Sequence, residues 1–97
     1  MRPVTQTDLM AAARVLLVTP AAARETEAAG LINQAVIADA YRRETGRLHP
    51  RFGNGSVVSA ALAHPQGTPE IPGDREYLSC MALFLDVLLA RASLSKP

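Results

Sequence analysis

The segment at residues 77–89 constrains the fold most, because in a helix its apolar side chains would cover almost the whole circumference. Its polar residues Ser79 and Asp86 are seven positions apart, and Ser93 continues the same narrow stripe. A helix of this kind must bury well over half of its surface. With Asp86 inside it, the segment is too short to cross a membrane. It predicts either the central helix of a small domain or a contact between subunits.

Two further helices are predicted upstream by their end signals. Thr5 and Asp8 have the spacing of a capping box, which starts a first helix at residues 5–18. Thr19 and Pro20 suit the N-cap and first position of a long second helix, which runs to about Thr45 before Gly46. Gly30 lies inside that helix, where it would mark a kink, a break or a close packing contact.

Residues 46–74 are rich in proline and glycine and predict an irregular crossing loop. Within it, Asn54, Gly55 and Ser56 form a turn that leads into a short helix. Asp74 is the expected N-cap of the last helix, which runs to about Ala92. The chain is therefore predicted to be a single all-α domain over residues 1–97. Its parts are a short helix, a long helix, the crossing loop with a short helix, and a buried C-terminal helix, with a helical hairpin-type core.

Composition excludes several classes of protein. At 97 residues the chain allows one domain, and 10 basic against 9 acidic residues exclude a polycation. The N-terminal residues lack the long apolar region of a signal peptide, and the single cysteine, Cys80, suits a reducing cytosol. We therefore expect a cytoplasmic protein with no membrane contact. On the most apolar helix, the Cys80 thiol should have a raised pKa and be unreactive.

Candidate catalytic and metal sites are weak. His49, His64 and Cys80 are 15 or more residues apart and have no paired metal-ligand spacing. The Gly-Asn-Gly-Ser run at 53–56 lacks the rest of a phosphate-binding loop and is expected to be a turn. These patterns predict a protein that is not an enzyme and has no metal or cofactor.

The strongest functional signal is a cluster of arginines at the end of the second helix. Arg42, Arg43, Arg47 and Arg51 fall within ten residues, and Glu44 is the acidic residue among them. The planar guanidinium fork suits phosphate. Alternatively, the cluster is a solvated helix end whose cations complement the helix dipole.

Asp39, which lies three and four residues before Arg42 and Arg43, also has two interpretations. It forms either a surface ion pair or a partly buried carboxylate that orients an arginine.

The second helix also has two apolar sides, which one small domain does not readily cover. Ile37 and Tyr41 form the second of these patches. Together with the last helix, this patch predicts a homo-oligomer. The residues expected at subunit contacts are Ile37, Tyr41, Leu83, Val87 and Leu94.

With these residues in view, the chain resembles a short alphaproteobacterial family associated with phage-like gene transfer agents, in which a protein of this size is taken as the small terminase subunit. The resemblance covers most of the chain. Its matching stretches include Ala-Asp-Ala-Tyr-Arg-Arg at 38–43 and Gly-Asn-Gly-Ser at 53–56; the others lie at residues 2–5, 11–17, 45–47, 49–50 and 77–89.

The resemblance implies a helical DNA-packaging adaptor that assembles with copies of itself into a ring. The ring would engage double-stranded DNA and recruit the large terminase subunit, an ATPase and nuclease. The chain departs from small terminases because residues 5–18 are too few for an independent helix-turn-helix. DNA binding is therefore expected to be weak and sequence-tolerant. The alternative is a small helical protein-interaction or regulatory module, a monomer or dimer, without DNA binding.

Overall fold

The computed structural model describes residues 1–69 and 74–95, with side chains as far as residue 92. The described residues confirm the all-α prediction, since they contain helices and no strand, only an isolated bridge between His49 and Gly53. The helices are α1 (Gln6–Leu17), α2 (Arg24–Thr45), α3 (Val57–Ala61) and α4 (Arg75–Ser95), with a 3-10 turn at Ala21–Ala23 before α2.

The capping box that starts α1 is present as predicted. Thr5 Oγ1 accepts a hydrogen bond from the Asp8 backbone nitrogen at 3.3 Å, and Asp8 Oδ2 accepts one from the Thr5 nitrogen at 2.8 Å. Val4 and Leu9, at staple spacing, are partly buried against the core. The start of α1 is thus determined by residues within one turn of each other.

The start of α2 differs from the prediction. The Thr19 hydroxyl donates to the Val15 carbonyl at 2.9 Å, so it closes the end of α1 instead of capping α2. A 3-10 turn follows Pro20, and α2 begins at Arg24 without a side-chain cap. Arg24 Nε instead donates to the Leu16 carbonyl at 2.8 Å, which fastens the start of α2 to the end of α1.

The remainder of α2 follows the prediction. It is continuous through Gly30, and a Cβ added at Gly30 would meet nothing within 4 Å, so this glycine marks neither a break nor a close contact. Gly46 ends the helix in the left-handed conformation, with φ +71° and its N–H bonded to the Arg42 carbonyl at 2.8 Å. At 22 residues, α2 is about 33 Å long.

The core is formed where α4 and α3 each pack against α1 and α2. Phe84 is the largest fully buried side chain and lies with Leu16, Leu31, Ile32 and Val57. Six alanines with no exposed surface belong to the same cluster and bring little side-chain bulk between the helices: Ala12, Ala13, Ala28, Ala35, Ala60 and Ala61.

Asp74 caps α4 as predicted, because its Oδ1 accepts a hydrogen bond from the Glu76 nitrogen at 2.8 Å. The helix continues to Ser95, three residues beyond the predicted end. Its inner face, with Tyr77, Cys80 and Phe84, is buried in the core. None of the described helices is both long and apolar enough to cross a lipid bilayer.

The crossing loop is held on both sides. Ser56 Oγ accepts a hydrogen bond from the Ser59 nitrogen at 3.2 Å and caps α3, the predicted short helix. Gly67 N–H donates to the Arg14 carbonyl at 2.8 Å, which ties the next part of the loop to α1. Residues 70–73 of the predicted loop lie outside the described part of the chain.

Candidate nucleic-acid interface

The C-terminal end of α2 is built around the buried carboxylate of Asp39, which is 2% exposed. Its Oδ2 lies 3.1 Å from the N-terminal ammonium of Met1 and 3.0 Å from Arg43 Nη2. Its Oδ1 lies 3.4 Å from Arg42 Nη2. The interpretation of Asp39 as a buried carboxylate that orients arginines is therefore confirmed, and the surface ion pair is wrong.

The surroundings of Asp39 keep it ionised. The hydrogen bond from the N-terminal ammonium lowers the pKa of the Asp39 carboxyl; burial opposes this, and the positive charges of the ammonium and Arg43 lower it further. One negative charge thus faces three cationic groups, from Met1, Arg42 and Arg43. This end of α2 remains positively charged overall.

A glycine turn closes over Asp39 and brings the N-terminal segment to the same place. Gly55 has φ +94°, and a Cβ there would lie 2.7 Å from the Asp39 Cβ, so the close approach depends on glycine. The Gly55 carbonyl accepts a hydrogen bond from the Arg2 nitrogen at 2.9 Å. Arg2, which is exposed, therefore joins the basic end, although it is 40 positions before Arg42.

The four predicted arginines fall into two pairs. Arg42 and Arg43 leave the last turns of α2 and both contact Asp39, with side chains 41% and 73% exposed. Arg47 and Arg51 follow the left-handed Gly46 and are exposed. The structure thus brings Arg42 and Arg43 together on one carboxylate and carries Arg47 and Arg51 on the turn that follows.

An aromatic cluster shapes that turn. The rings of His49 and Phe52 stack with centroids 4.9 Å apart, and Tyr41 meets His49 edge-on at 5.2 Å. His49 Nδ1 lies 3.1 Å from the backbone nitrogens of both Arg51 and Phe52 and accepts from them, which leaves its proton on Nε2. The Arg51 guanidinium lies 5.5 Å from the centre of the Phe52 ring. His49 therefore organises the turn that carries Arg51.

The two ends of α2 carry opposite charge. Between residues 37 and 56 the acidic residues are the buried Asp39 and the exposed Glu44. At the other end, Glu25 and Glu27 lie in the first turn of α2. There Glu76 of α4 pairs with Arg24 at 2.6 Å. Since α2 is about 33 Å long, the basic end is well separated from these carboxylates.

Of the five residues expected at subunit contacts, four have described side chains, two on α2 and two on α4. Ile37 is 51% exposed on α2, and Tyr41 is half-buried against His49. Leu83 and Val87 are half-buried and line a cavity of about 490 Å³ beside the first turn of α2. Leu94 lies in the last turn of α4, outside the residues whose side chains are described.

The remaining candidate groups have structural roles. Cys80 is 1% exposed, and burial raises the pKa of its thiol, as predicted. His64 Nε2 lies 2.7 Å from Gln34 Oε1, and its Nδ1 lies 3.4 Å from a Glu27 oxygen. These contacts hold the segment after α3 against α2.

Comparison with known proteins identifies one family. A family model described as a domain of unknown function (DUF7742) matches residues 2–88. No curated protein matches the chain. No solved structure matches it.

Proposed function

The chain belongs to this DUF7742 family of domains of unknown function, and we propose that it is a non-enzymatic DNA-packaging adaptor of small-terminase type. In this proposal a cytoplasmic homo-oligomer engages double-stranded DNA weakly and recruits the large terminase subunit. The protein itself needs no metal or cofactor. The resemblance of residues 38–43, 53–56 and 77–89 to the gene transfer agent family motivates the terminase assignment.

The observation that carries the DNA-binding part is the convergence of cationic groups at one end of the molecule. Arg42 and Arg43 share the buried Asp39, and Arg2 reaches the same end through Gly55. Arginine forms paired hydrogen bonds with phosphate oxygens.

The arginines would contribute unequally. Arg47 and Arg51 are exposed on the turn, whereas Arg42 and Arg43 already contact Asp39. Binding to phosphate would have to compete with that carboxylate for the guanidinium groups of Arg42 and Arg43. We therefore assign the main phosphate contacts to Arg47 and Arg51, and secondary contacts to Arg42 and Arg43.

The proposed binding is weak and sequence-tolerant for a physical reason. Sequence is read by side chains that reach base edges in a groove, whereas phosphate contacts carry no sequence information. The basic groups here lie on a helix end and a turn, and a few phosphate contacts from one copy give low affinity at physiological salt. Several copies in one assembly would raise the affinity through simultaneous contacts.

The test is the binding of a fluorescent 30-base-pair duplex, measured by anisotropy over a salt series. The native protein should bind at 50 mM salt. The double variant Arg47→Ala/Arg51→Ala should bind more weakly, and its slope of log K against log salt should be smaller by about 2. Both side chains are exposed, so the melting temperature should stay near the native value. Absence of native binding at 50 mM salt would contradict the proposal, and an unchanged slope would contradict the assignment of these arginines.

A protein-interaction module without DNA binding is the second candidate. It is favoured by an apolar cleft of about 360 Å³ between α1 and α4, where Met10 and Leu78 are 43% and 51% exposed. Light scattering on a sizing column separates the two candidates when combined with the DNA measurement. A monomer or dimer that does not bind duplex DNA at low salt would favour this second function.

A further inference from the structure

The outer face of α4 carries an exposed apolar stripe with coiled-coil spacing. Leu78, Leu85 and Leu89 are 51%, 40% and 65% exposed, and Ala82 is exposed between them. The steps from 78 to 82, 85 and 89 are four, three and four residues, the alternation found in helices that pair along their length. Tyr77, Cys80 and Phe84 point away from this stripe into the core. A helix is therefore the element whose shape suits this face.

The size pattern of the stripe suits a second α4 in the antiparallel direction. In antiparallel pairs, the two core positions of the heptad alternate across each layer. Leu78 would then lie against Leu89 of the partner subunit, and Ala82 against Leu85 of the partner subunit. Each small side chain meets a large one, which fills the layer without a gap. A parallel pair would place Ala82 against its own copy and leave that layer thin.

The charges on α4 select the same direction. Arg75 and Asp86 are both exposed on the outer half of the helix. In the antiparallel pair with Leu78 against Leu89, Asp86 of the partner subunit lies at the level of Met81. Arg75 is six residues before that level, an offset of about 9 Å at which the opposite charges attract without a direct ion pair. A parallel pair would instead bring the two Arg75 side chains into one layer, where like charges repel.

We propose that a second copy of this chain docks on the outer face of α4, so that the two helices pack antiparallel through Leu78, Ala82, Leu85 and Leu89 around a twofold axis. The contact extends at its edge to Met81, which lies in the same cleft as Met10. It deepens the proposed function by naming the surface through which copies assemble, and it rests on that function for the expectation of a homo-oligomer. Because the contact is isologous, each copy uses the same residues.

The first test is the mass of the full chain in solution at about 100 µM, by light scattering on a sizing column. One copy has a mass of 10.3 kDa, and the native protein should give twice that value or a higher even multiple. Leu89→Glu should at least halve the native mass, because it places a charge in the paired layers. Leu62→Glu is the matched control: Leu62 is 76% exposed outside α4, and this variant should keep the native mass.

The outcomes separate this inference from the proposed function. A native mass of 10.3 kDa would overturn the α4 contact and the assembly together, while the DNA measurement would still judge the basic end separately. If Leu89→Glu keeps the native mass, this contact is wrong and the homo-oligomer stands on another surface.

The second test is the direction of the pair, by disulfide trapping. Leu78→Cys and Leu89→Cys are each oxidised alone and then as an equal mixture. The antiparallel pair predicts a covalent dimer in the mixture and none in either variant alone, because a disulfide needs Cα atoms within about 7 Å. Covalent dimers in each variant alone would overturn the antiparallel direction, and none in any sample would overturn the contact. The native protein, whose Cys80 is buried, is the control.

Discussion

The carboxylate of Asp8 accepts a hydrogen bond from the backbone nitrogen of Val58 at 2.8 Å, so one side chain caps two helices. Its Oδ2 serves the start of α1 through Thr5, while its Oδ1 serves the start of α3. Asp8 is 4% exposed, and its two oxygens join segments 50 residues apart. It thereby fixes α3 and the preceding Gly55 turn, which closes over Asp39.

Replacing Asp8 by alanine should cost about 2 kcal/mol of unfolding free energy, since each lost helix cap costs about 1 kcal/mol. Urea unfolding followed by circular dichroism measures the loss. Ser56→Ala is the control, because it removes the cap made by Ser56 and its hydrogen bond to the Ser59 hydroxyl but leaves Asp8 in place, and it should cost about 1 kcal/mol. An Asp8→Ala variant no less stable than Ser56→Ala would contradict the double cap.

The same substitution should have opposite effects at two glycines. Gly30→Ala should stabilise the protein by about 1 kcal/mol, because the site is helical and a Cβ there meets nothing within 4 Å. Gly55→Ala should destabilise it by at least about 1 kcal/mol, since the φ is +94° and the new Cβ would lie 2.7 Å from the Asp39 Cβ. Thermal unfolding measures both, and equal melting temperatures for the two variants would refute the close approach of Gly55 to Asp39.

The ion pairs of Asp39 should make the free energy of unfolding depend on pH. Its pKa is lower in the folded protein than in the unfolded chain, where a carboxyl titrates near about 3.9. The stabilisation is therefore fully present above that value and is lost as the pH falls through the lowered folded pKa. Urea midpoints of the native protein and Asp39→Asn should differ fully near pH 7 and should begin to converge only as the pH falls below about 4. A difference that does not change with pH would rule out this linkage.

The Cys80 thiol should be unreactive until the protein unfolds. It is 1% exposed, and burial raises its pKa, so little thiolate is present or accessible at pH 8. An aromatic disulfide reagent should react with the native protein at least about 100-fold more slowly than with the protein in urea, because modification requires an opening of the core. Comparable rates in the two conditions would show that α4 does not protect this thiol.

The parts of the fold that sequence predicts are those encoded within a turn or two. Thr5 and Asp8 mark the start of α1, Gly46 the end of α2, and Asp74 the start of α4. The start of α2 differs from the prediction. The Thr19 hydroxyl could either cap the next helix or bond backward to the preceding one, and it donates to the Val15 carbonyl. A local pattern does not decide between them.

The rest of the candidate site depends on contacts that are distant in sequence. Arg2 joins the basic end only because Gly55 packs on Asp39, and no spacing in the chain signals this. The sequence also does not predict which face of α4 is buried. A helix that is apolar around most of its circumference has no periodicity to show whether Phe84 or Leu85 faces inward. The packing of α4 against α1 and α2 decides which face is buried: Phe84 lies in the core and Leu85 is exposed.

The central claim is that the basic end of α2 contacts DNA phosphates, and two matched glutamates test it directly. Glu44 and Glu25 are both exposed on α2, at opposite ends. Each change to glutamine raises the net charge by the same amount, so a nonspecific charge effect would be equal in both. An effect confined to Glu44 therefore locates the contact.

The measurement is the dissociation constant for duplex DNA at 50 mM salt, by fluorescence anisotropy. Glu44→Gln should bind about two- to fivefold more tightly than the native protein, the change expected for one surface charge worth up to about 1 kcal/mol. Glu25→Gln should bind as the native protein does. Equal tightening by the two variants, or tightening by Glu25→Gln alone, would contradict a phosphate-binding site at the end of α2.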